Sequence, residues 1–483
     1  MPISQRRLLG LLGIVLWGLW LAWWGRVGHP LNVDLPETVH LGQWILYHGR
    51  LPAHLHWVWG QHGPWLAVAW ELGSALLFAG TMQIAGVTGL VALWAFALTL
   101  TLLLSAAAIR AFGRTPRWGV LGLGGIAISL YAPIWAALWM LPGAAFVLWD
   151  ASHLVQRQGR DRWTHRARYA GVLILWTWLS PSVLWAVPVV IGLGVLWPTG
   201  TSPRPWKSLG VRLAFVGLAM ATLPDAGSWL AAVWRYVSGA VQPAVSWPSV
   251  TTQLHPWPFG ALPEWLAVLG TAWILWGLWR GRRIPLWWAG LLAGPALLIW
   301  HALYYTALAL WALTTGIASQ SEAPQGMPDA PAPGRLWVLG LVLGVAIGGA
   351  AWGSATLTWA ASYPEYTWYH QVTKHSPPGH VWVPLPQGGV FTLATGRASW
   401  LDNRMQVWDA NPHAYTRAAI RATGHVPIGP WLTAHHVVAV LWPVRPAFDA
   451  RLRHAGWHVT SRGPGSYQCW QPISQGGAAH GPR

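Results

Sequence analysis

Two acidic side chains stand close together just after the first apolar stretch of the chain. Asp34 and Glu37 lie three residues apart in the segment that joins this stretch to the next one. A carboxylate held at a membrane surface can accept a proton from an incoming hydroxyl group, which is general-base chemistry. A carboxylate at this place can also cap the first turn of a helix. The residues alone leave both roles open.

A third acid, Glu71, lies within an apolar run. An ionisable group inside a membrane span is costly and usually faces a cavity or a partner. Glu71 is therefore a candidate for the same site. The whole chain contains 13 aspartates and glutamates, so few acids are available for catalysis.

Four arginines are candidates for binding an anionic substrate. Arg26, Arg50 and Arg235 lie in loops predicted to face outward, and Arg404 lies in the tail. A guanidinium can hold a phosphate or a carboxylate with two parallel hydrogen bonds. The alternatives are contacts with lipid headgroups for the first three, and a bracing pair with Asp402 for Arg404.

Histidines and cysteine give little sign of a metal site. The chain has 20 histidines, and groups such as His54-Leu55-His56 or His435-His436 lack the i, i+4 spacing and neighbouring acid of a zinc helix. The single cysteine, Cys469, excludes an internal disulfide and a cysteine-based zinc site. We expect no organic cofactor, and the sequence leaves open whether a divalent metal is needed.

The composition indicates that the bilayer is the solvent for most of these residues. Of the 483 residues, 54% are hydrophobic and 9% are charged, whereas soluble domains carry about 25% charged residues. The net charge is +17. Much of it lies in short loops, where the positive-inside rule and anionic lipids account for it. We therefore expect no nucleic-acid partner.

Apolar runs alternate with short loops through residues 1–360. They predict a polytopic α-helical membrane protein with about 10–13 transmembrane helices and a first outer loop at 26–63. Several runs are shorter than the roughly 20 residues of a perpendicular span. Breaks at Pro133, at Ser180-Pro181 and near Trp300-His301 indicate short helices that meet inside the bundle, next to a cavity.

Basic loops predict the orientation of the chain. The loops taken as cytoplasmic are 110–117, 157–168, 204–212 and 280–283. The loops 26–63 and 225–260, and the tail after Ala360, then face outward. One conflict arises, because two full spans between Trp65 and Ile109 would place the loop 110–117 outside. Either one of these runs does not cross, or the loop breaks the rule.

The last quarter of the chain has a different pattern. Short β-branched and aromatic segments alternate with helical ones, which predicts a small α/β extracytoplasmic domain at 361–473. Residues 474–483 are expected to be a disordered tail. The strands are predicted at 381–385, 389–393, 436–442 and 466–470, and the helices at 412–421 and 447–454.

The first outer loop resembles that of the GT-C membrane glycosyltransferases, including the dolichyl-phosphate-mannose mannosyltransferases. The resemblance rests on Asp34, the segment Trp44-Ile45-Leu46-Tyr47-His48-Gly49-Arg50-Leu51-Pro52, and His62-Gly63-Pro64-Trp65. It implies that the first-loop acid is the catalytic base and that the donor is a polyprenyl-phosphate sugar. Two features depart from the family pattern. Glu37 is not adjacent to Asp34, and His62-Gly63-Pro64 stands where a double proline is common.

The tail resembles the soluble domain of a bacterial group of GT-C-like membrane proteins. Its landmarks are Gly388-Gly389-Val390-Phe391, then Trp400-Leu401-Asp402-Asn403-Arg404-Met405-Gln406-Val407-Trp408, then 436–441, then Gly456-Trp457-His458. Many members of that group have no assigned activity, so this resemblance implies an architecture more than a reaction.

Together these features predict an inverting glycosyltransferase of the cell membrane. It would transfer a sugar from a polyprenyl-phosphate donor to a glycan, lipid or protein acceptor on the outer face. Asp34 would be the base, and Glu37 or Glu71 would support it. The four arginines above and His62 would bind the donor. Membrane lipids would be further partners of the protein. The alternative is a non-catalytic membrane protein that binds or transports a lipid-linked glycan, which the scarcity of acids favours.

Overall fold

The structure is a computed structural model in which the chain forms two compact units. One unit comprises Met1–Asn32 and Val68–Leu357, and the other comprises Val33–Ala67 and Thr358–Arg483. The structure describes residues 3–27, 35–52, 71–112, 114–132, 134, 136–156, 162–180, 182–183, 186–187, 190, 206–224, 226–227, 230, 303–319, 334–355, 357–374, 376–384, 387–399 and 427–473.

Helices make up nearly all of the described part of the first unit. The described helices of both units are, in chain order, α1 (Ile3–Val27), α2 (Leu35–His48), α3 (Leu72–Ala111), α4 (Trp118–Tyr131), α5 (Met140–Gln156), α6 (Trp163–Leu179), α7 (Trp206–Ala221), α8 (Leu303–Ala318), α9 (Gly334–Gly353), α10 (Trp359–Ser362), α11 (Glu365–Lys374), α12 (Gly388–Thr395), α13 (Gly429–Ala434) and α14 (Pro446–His454).

Small residues bring α1 and α9 into close contact. A methyl group added at Gly349 would lie 2.6 Å from the carbonyl oxygen of Gly18. One turn further along, Gly353 meets the backbone of Ala22 in the same way. Gly349 and Gly353 form a G-x-x-x-G pattern, which allows two helix backbones to approach closely in a membrane.

The long helix α3 bends sharply at Gly86. Gly86 has φ 60° and ψ −156°, which are not helical values. The chain turns back there, since a methyl group added at Gly89 would lie 3.2 Å from the carbonyl oxygen of Thr81. The sequence predicted two apolar runs that meet at this place. The first limb, 72–85, rises about 21 Å, less than the roughly 30 Å of a bilayer core. This length favours the alternative in which one of the two runs does not cross.

Within the described residues, α3 is the one helix long and apolar enough by composition to cross a membrane. Three shorter apolar stretches lie at Leu11–Arg26, Trp118–Tyr131 and Leu339–Gly353. The total of 10–13 spans stays a prediction.

Two of the three predicted breaks coincide with helix ends. α4 ends at Tyr131, before Pro133, and a short 3₁₀ segment at Ala136–Trp139 leads into α5. α6 ends at Leu179, and Ser180 adopts extended backbone angles. The break predicted near Trp300-His301 lies outside the described residues.

A buried ion pair connects α5 to α7. Arg212 donates from Nε to Asp150 Oδ2 at 2.6 Å and from Nη2 to Asp150 Oδ1 at 3.2 Å. Its Nη1 donates to the carbonyl oxygen of Ser208 at 3.2 Å, and the guanidinium lies over the ring of Tyr169. The sequence predicted that Arg212 lies in a basic cytoplasmic loop, whereas its side chain is buried between helices.

A four-stranded sheet forms the core of the second unit. The strands are β1 (His380–Trp382), β2 (Val437–Pro443), β3 (Trp457–Arg462) and β4 (Tyr467–Pro472), in the order β1-β2-β4-β3. β1 runs parallel to β2, and β4 is antiparallel to both of its neighbours. Aromatic rings pack around Trp382 of β1. Its ring centroid lies 4.9 Å from that of Trp431, 5.1 Å from that of Trp442 and 5.7 Å from that of Phe448.

The sequence located three of these strands and the helix α14, but two assignments were wrong. Residues 389–393 were predicted to be a strand and instead lie in α12, and β3 was not predicted at all. Val390, Phe391 and Thr392 favour strands by propensity. Burial of nearly every side chain of the segment among neighbouring helices outweighs this local preference. The helix predicted at 412–421 lies outside the described residues.

Candidate active site

The helix α2 follows Asp34 directly. Pro36 stands in its first turn, where its missing N–H costs nothing and its fixed φ angle suits a helix. The helix closes at Gly49, whose φ of 65° is the left-handed value typical of a helix end. Its N–H donates to the carbonyl oxygen of Ile45 at 2.8 Å. The apolar side chains of residues 36–48 predict a helix along a membrane surface, and the structure confirms the helix.

The first turn of α2 is buried and its last turn is exposed. The side chains of Leu35, Thr38 and Val39 are completely buried. Glu37 is 2% exposed, although it is ionisable. At the other end Tyr47 is 86% exposed, so the helix is anchored at the end that follows Asp34.

Glu37 lies against the start of α12, within the second unit. A methyl group added at Gly389 would overlap the Glu37 side chain, with Oε1 only 2.7 Å away. The backbone therefore admits this carboxylate only because residue 389 has no side chain. α12 then ends at Gly396, which has φ 67°.

Two tyrosine rings lie near α12, and of these Tyr369 is buried and Tyr467 is half-buried. The ring of Tyr369 meets the ring of Phe391 edge-on at 5.6 Å and that of Tyr467 at 6.4 Å. Burial raises the pKa of Tyr467 to about 12, with Glu365 adding to the rise. Burial also raises the pKa of Tyr369, so both phenols stay neutral at physiological pH. They are equipped to donate hydrogen bonds rather than to serve as bases.

One histidine of α2 is held in its neutral form. Burial lowers the pKa of His40 from 6.5 to about 4. His40 stands one turn after Glu37 on the helix, so a neutral imidazole lies on this face at pH 7.

Glu71 lies at the beginning of α3 in the first unit, whereas Glu37 belongs to the second unit. Glu71 is 2% exposed, and its carbonyl oxygen accepts from the N–H of Ala75 at 2.8 Å. The same turn packs against the end of α6, where Ser74 donates to the carbonyl oxygen of Leu179. Sequence reasoning put Glu71 inside a span, and the structure puts it at a buried helix start.

Two of the remaining candidate residues are exposed, and four lie outside the described part of the chain. Arg26 is exposed at the end of α1, and Arg50 is exposed just after α2. Asp34, His62, Arg235 and Arg404 lie outside the described residues. Among the residues that the structure describes, no group of three or more histidine, cysteine or acidic side chains could hold a metal ion.

Comparison of the backbone with solved structures identifies the fold. The chain superimposes on the archaeal oligosaccharyltransferase AglB from Archaeoglobus fulgidus, in complex with an inhibitory peptide and a dolichol-phosphate, with a TM-score of 0.54. The match covers 97% of this chain and 75% of AglB at 12% sequence identity. The chain shares the fold of this oligosaccharyltransferase. No family model and no curated protein sequence matches it.

Two further structures of the A. fulgidus oligosaccharyltransferase match less closely than this complex. The apo form has a TM-score of 0.47 at 11% identity and covers 89% of this chain and 69% of its own. The form tethered to an acceptor peptide has a TM-score of 0.43 at 12% identity, covering 89% and 68%. Similarity at this level adds nothing to the argument.

Sequence reasoning missed the contact between Glu37 and Gly389. Gly388-Gly389 was among the landmarks of the tail, but nothing in its sequence indicated Glu37 as its neighbour. The pair was assigned to a glycine-rich strand, whereas in the structure it begins a helix against which α2 packs.

Proposed function

We propose that the chain is an integral membrane glycosyltransferase that transfers a sugar from a polyprenyl-phosphate donor to an acceptor on the outer face. The observation that carries the proposal is the buried first turn of α2, which fixes the chain directly after Asp34. The fold shared with AglB supports it, because the matched AglB structure holds a dolichol-phosphate and a peptide. The mannosyltransferase-like donor and the relation to the bacterial group belong to this proposal too.

The proposed reaction is a single displacement. Asp34 takes the proton of the acceptor hydroxyl as its oxygen attacks the anomeric carbon. The bond between that carbon and the phosphate oxygen breaks, and the polyprenyl phosphate leaves with the bonding electrons. The configuration at the anomeric carbon inverts.

Cationic side chains would stabilise the leaving phosphate. Charge accumulates on the phosphate in the transition state, and preorganised donors are most effective there. Arg26 and Arg50 are exposed and able to reach a lipid-linked anion. Arg235, Arg404 and His62 complete the proposed set, and Glu71 supports the bundle at the start of α3.

The test must separate a base at position 34 from a helix cap. Asparagine and serine cap a helix about as well as aspartate does, whereas alanine does not. If Asp34 is the base, Asp34→Asn and Asp34→Ser lose transfer by at least about 1,000-fold while the thermal midpoint stays unchanged. Transfer is followed in proteoliposomes with radiolabelled polyprenyl-phosphate sugars.

A cap alone gives a different result. Asp34→Asn and Asp34→Ser would then keep full activity, and only Asp34→Ala would lose about 1 kcal/mol of stability. Full activity of Asp34→Asn ends the proposal.

One observation favours a non-catalytic function as the second candidate. Glu37 and Glu71 are both only 2% exposed, so two of the few acids are poorly placed to meet a substrate. A protein that binds or transports lipid-linked glycan needs no base. The wild-type chain and the Asp34→Asn variant would then bind the donor with the same affinity, and neither would form a labelled product from the acceptor.

A further inference from the structure

The contact between Glu37 and Gly389 joins two segments that are distant in the sequence. Glu37 belongs to the first turn of α2, and Gly389 belongs to the first turn of α12. Both residues of the pair are buried, and a methyl group at residue 389 would overlap Cγ of Glu37. An alanine at residue 389 would therefore force the buried Glu37 side chain to shift.

The charge of Glu37 suits its surroundings. The first N–H groups of a helix have no partner within the helix, and their end carries a partial positive charge. The Glu37 carboxylate lies against this end of α12. The partial positive charge of this helix end favours a carboxylate here, and the packing of the buried Glu37 side chain holds α2 against α12.

Only Leu35 and Pro36 separate Glu37 from Asp34, so the position of Glu37 affects the position of Asp34. Leu35 and Thr38, on either side of Glu37, are completely buried. Because these neighbours are packed, we expect a displaced Glu37 to shift the first turn of α2, to which Asp34 is bonded. Displacing a catalytic group by about 1 Å can reduce a rate about 100-fold.

We propose that Gly389 is a positioning residue, which lets the Glu37 carboxylate lie on α12 and so fixes the first outer loop for catalysis. The proposal rests on the proposed function, and it assigns Glu37 to holding the loop rather than to proton transfer. The tail domain thereby takes part in catalysis without contributing a residue that touches the substrate.

The first measurement compares single variants. We expect Gly389→Ala to lower kcat by about 10- to 100-fold with little change in the KM for the donor or in the shape of the pH profile. Gly171→Ala is the matched control, since Gly171 is also helical and a methyl group there meets no atom within 4 Å. Wild-type kcat in Gly389→Ala would overturn the proposal.

The second measurement is a double-variant cycle. Glu37→Ala removes the atoms that an alanine at 389 would strike, so Glu37→Ala/Gly389→Ala should recover the kcat and the thermal midpoint of Glu37→Ala alone. Additive losses in either quantity would contradict a steric contact, even if Gly389→Ala folds poorly. A Glu37→Ala variant as inactive as Asp34→Asn would contradict the positioning role of Glu37.

The cycle also distinguishes this proposal from the proposed function. Coupling between residues 37 and 389 in thermal unfolding is measured without any activity. If Asp34→Asn is fully active while the coupling persists, the catalytic role of Asp34 fails and the contact stands. If the coupling is absent while Asp34→Asn is inactive, the positioning role fails and the catalytic role of Asp34 stands.

Discussion

The guanidinium of Arg212 and the carboxylate of Asp150 form a two-pronged ion pair inside the helical unit. The two hydrogen bonds measure 2.6 and 3.2 Å, and the residues lie 62 positions apart in the sequence. Both side chains are less than a tenth exposed. Because the two hydrogen bonds fix both side chains, the pair fixes how α5 and α7 pack against each other.

We expect loss of either partner of this pair to be costly. Asp150→Ala leaves a buried guanidinium without its counter-charge, which typically destabilises a protein by about 3–5 kcal/mol. Asp150→Leu combined with Arg212→Met should cost much less, because no buried charge is left. Unfolding in detergent measures both. Lys207→Ala is the control on the same helix, since Lys207 is exposed. Equal losses of stability in Asp150→Ala and in the double variant would contradict a cost that comes from an unpaired buried charge.

The contact between α1 and α9 predicts opposite behaviour for two adjacent glycines. A methyl group at Gly349 would strike the backbone of Gly18, whereas one at Gly348 meets no atom within 4 Å. Gly349→Ala should force the helices apart and cost about 1–3 kcal/mol. Gly348→Ala should be neutral or slightly stabilising, because alanine favours helix. Titration with a denaturing detergent compares the two, and equal effects would exclude this packing.

The pKa of His40 predicts a loss of stability in acid. Burial holds it at about 4, against 6.5 in an unfolded chain. The unfolded state therefore binds a proton that the folded state does not, and stability falls as the pH drops from 6.5 to 4. The shift corresponds to at most about 3 kcal/mol.

His40→Gln should reduce this dependence in thermal unfolding measured at pH 7, 6 and 5. Some dependence should remain, because burial and the neighbouring His436 also lower the pKa of His380. His454→Gln, at an exposed position, should leave the wild-type dependence intact. A wild-type slope in His40→Gln would assign the acid sensitivity to other groups.

The local sequence was sufficient to predict the helix α2, but it wrongly predicted a strand where α12 forms. In α2, Pro36 in the first turn, an apolar face and a closing glycine all favour the same helix. In α12, Val390 and Phe391 favour a strand, and the helix forms because its surroundings bury them. β2 was predictable because it carries three valines and a tryptophan, whereas β3 was missed although it carries a tryptophan, a valine and a threonine.

The contacts that define the candidate site were not predictable from the sequence. Glu37 and Gly389 meet only after the chain has folded, and nothing in the spacing of either motif indicates the other. The same holds for Asp150 and Arg212. A charged residue at the edge of an apolar run has the same local pattern whether it meets water or a buried partner.

The bend at Gly86 allows the conflict in the predicted topology to be tested. Ile84, next to the bend, is 89% exposed. The limb 72–85 rises only about 21 Å, against roughly 30 Å for a bilayer core. We expect it not to cross, so that Ile84 stays on the outer side and the basic loop 110–117 stays cytoplasmic.

In a Cys469→Ser background, Ile84→Cys should therefore react with a membrane-impermeant maleimide in intact cells. Tyr47→Cys, in the segment predicted to face outward, is the control for outer labelling, and Trp163→Cys, at the start of α6 and predicted to be cytoplasmic, is the control for the inner side. Both positions are highly exposed, at 86% and 74%. Labelling of Ile84→Cys only after permeabilisation would mean that both limbs cross, and the basic loop 110–117 would then break the positive-inside rule.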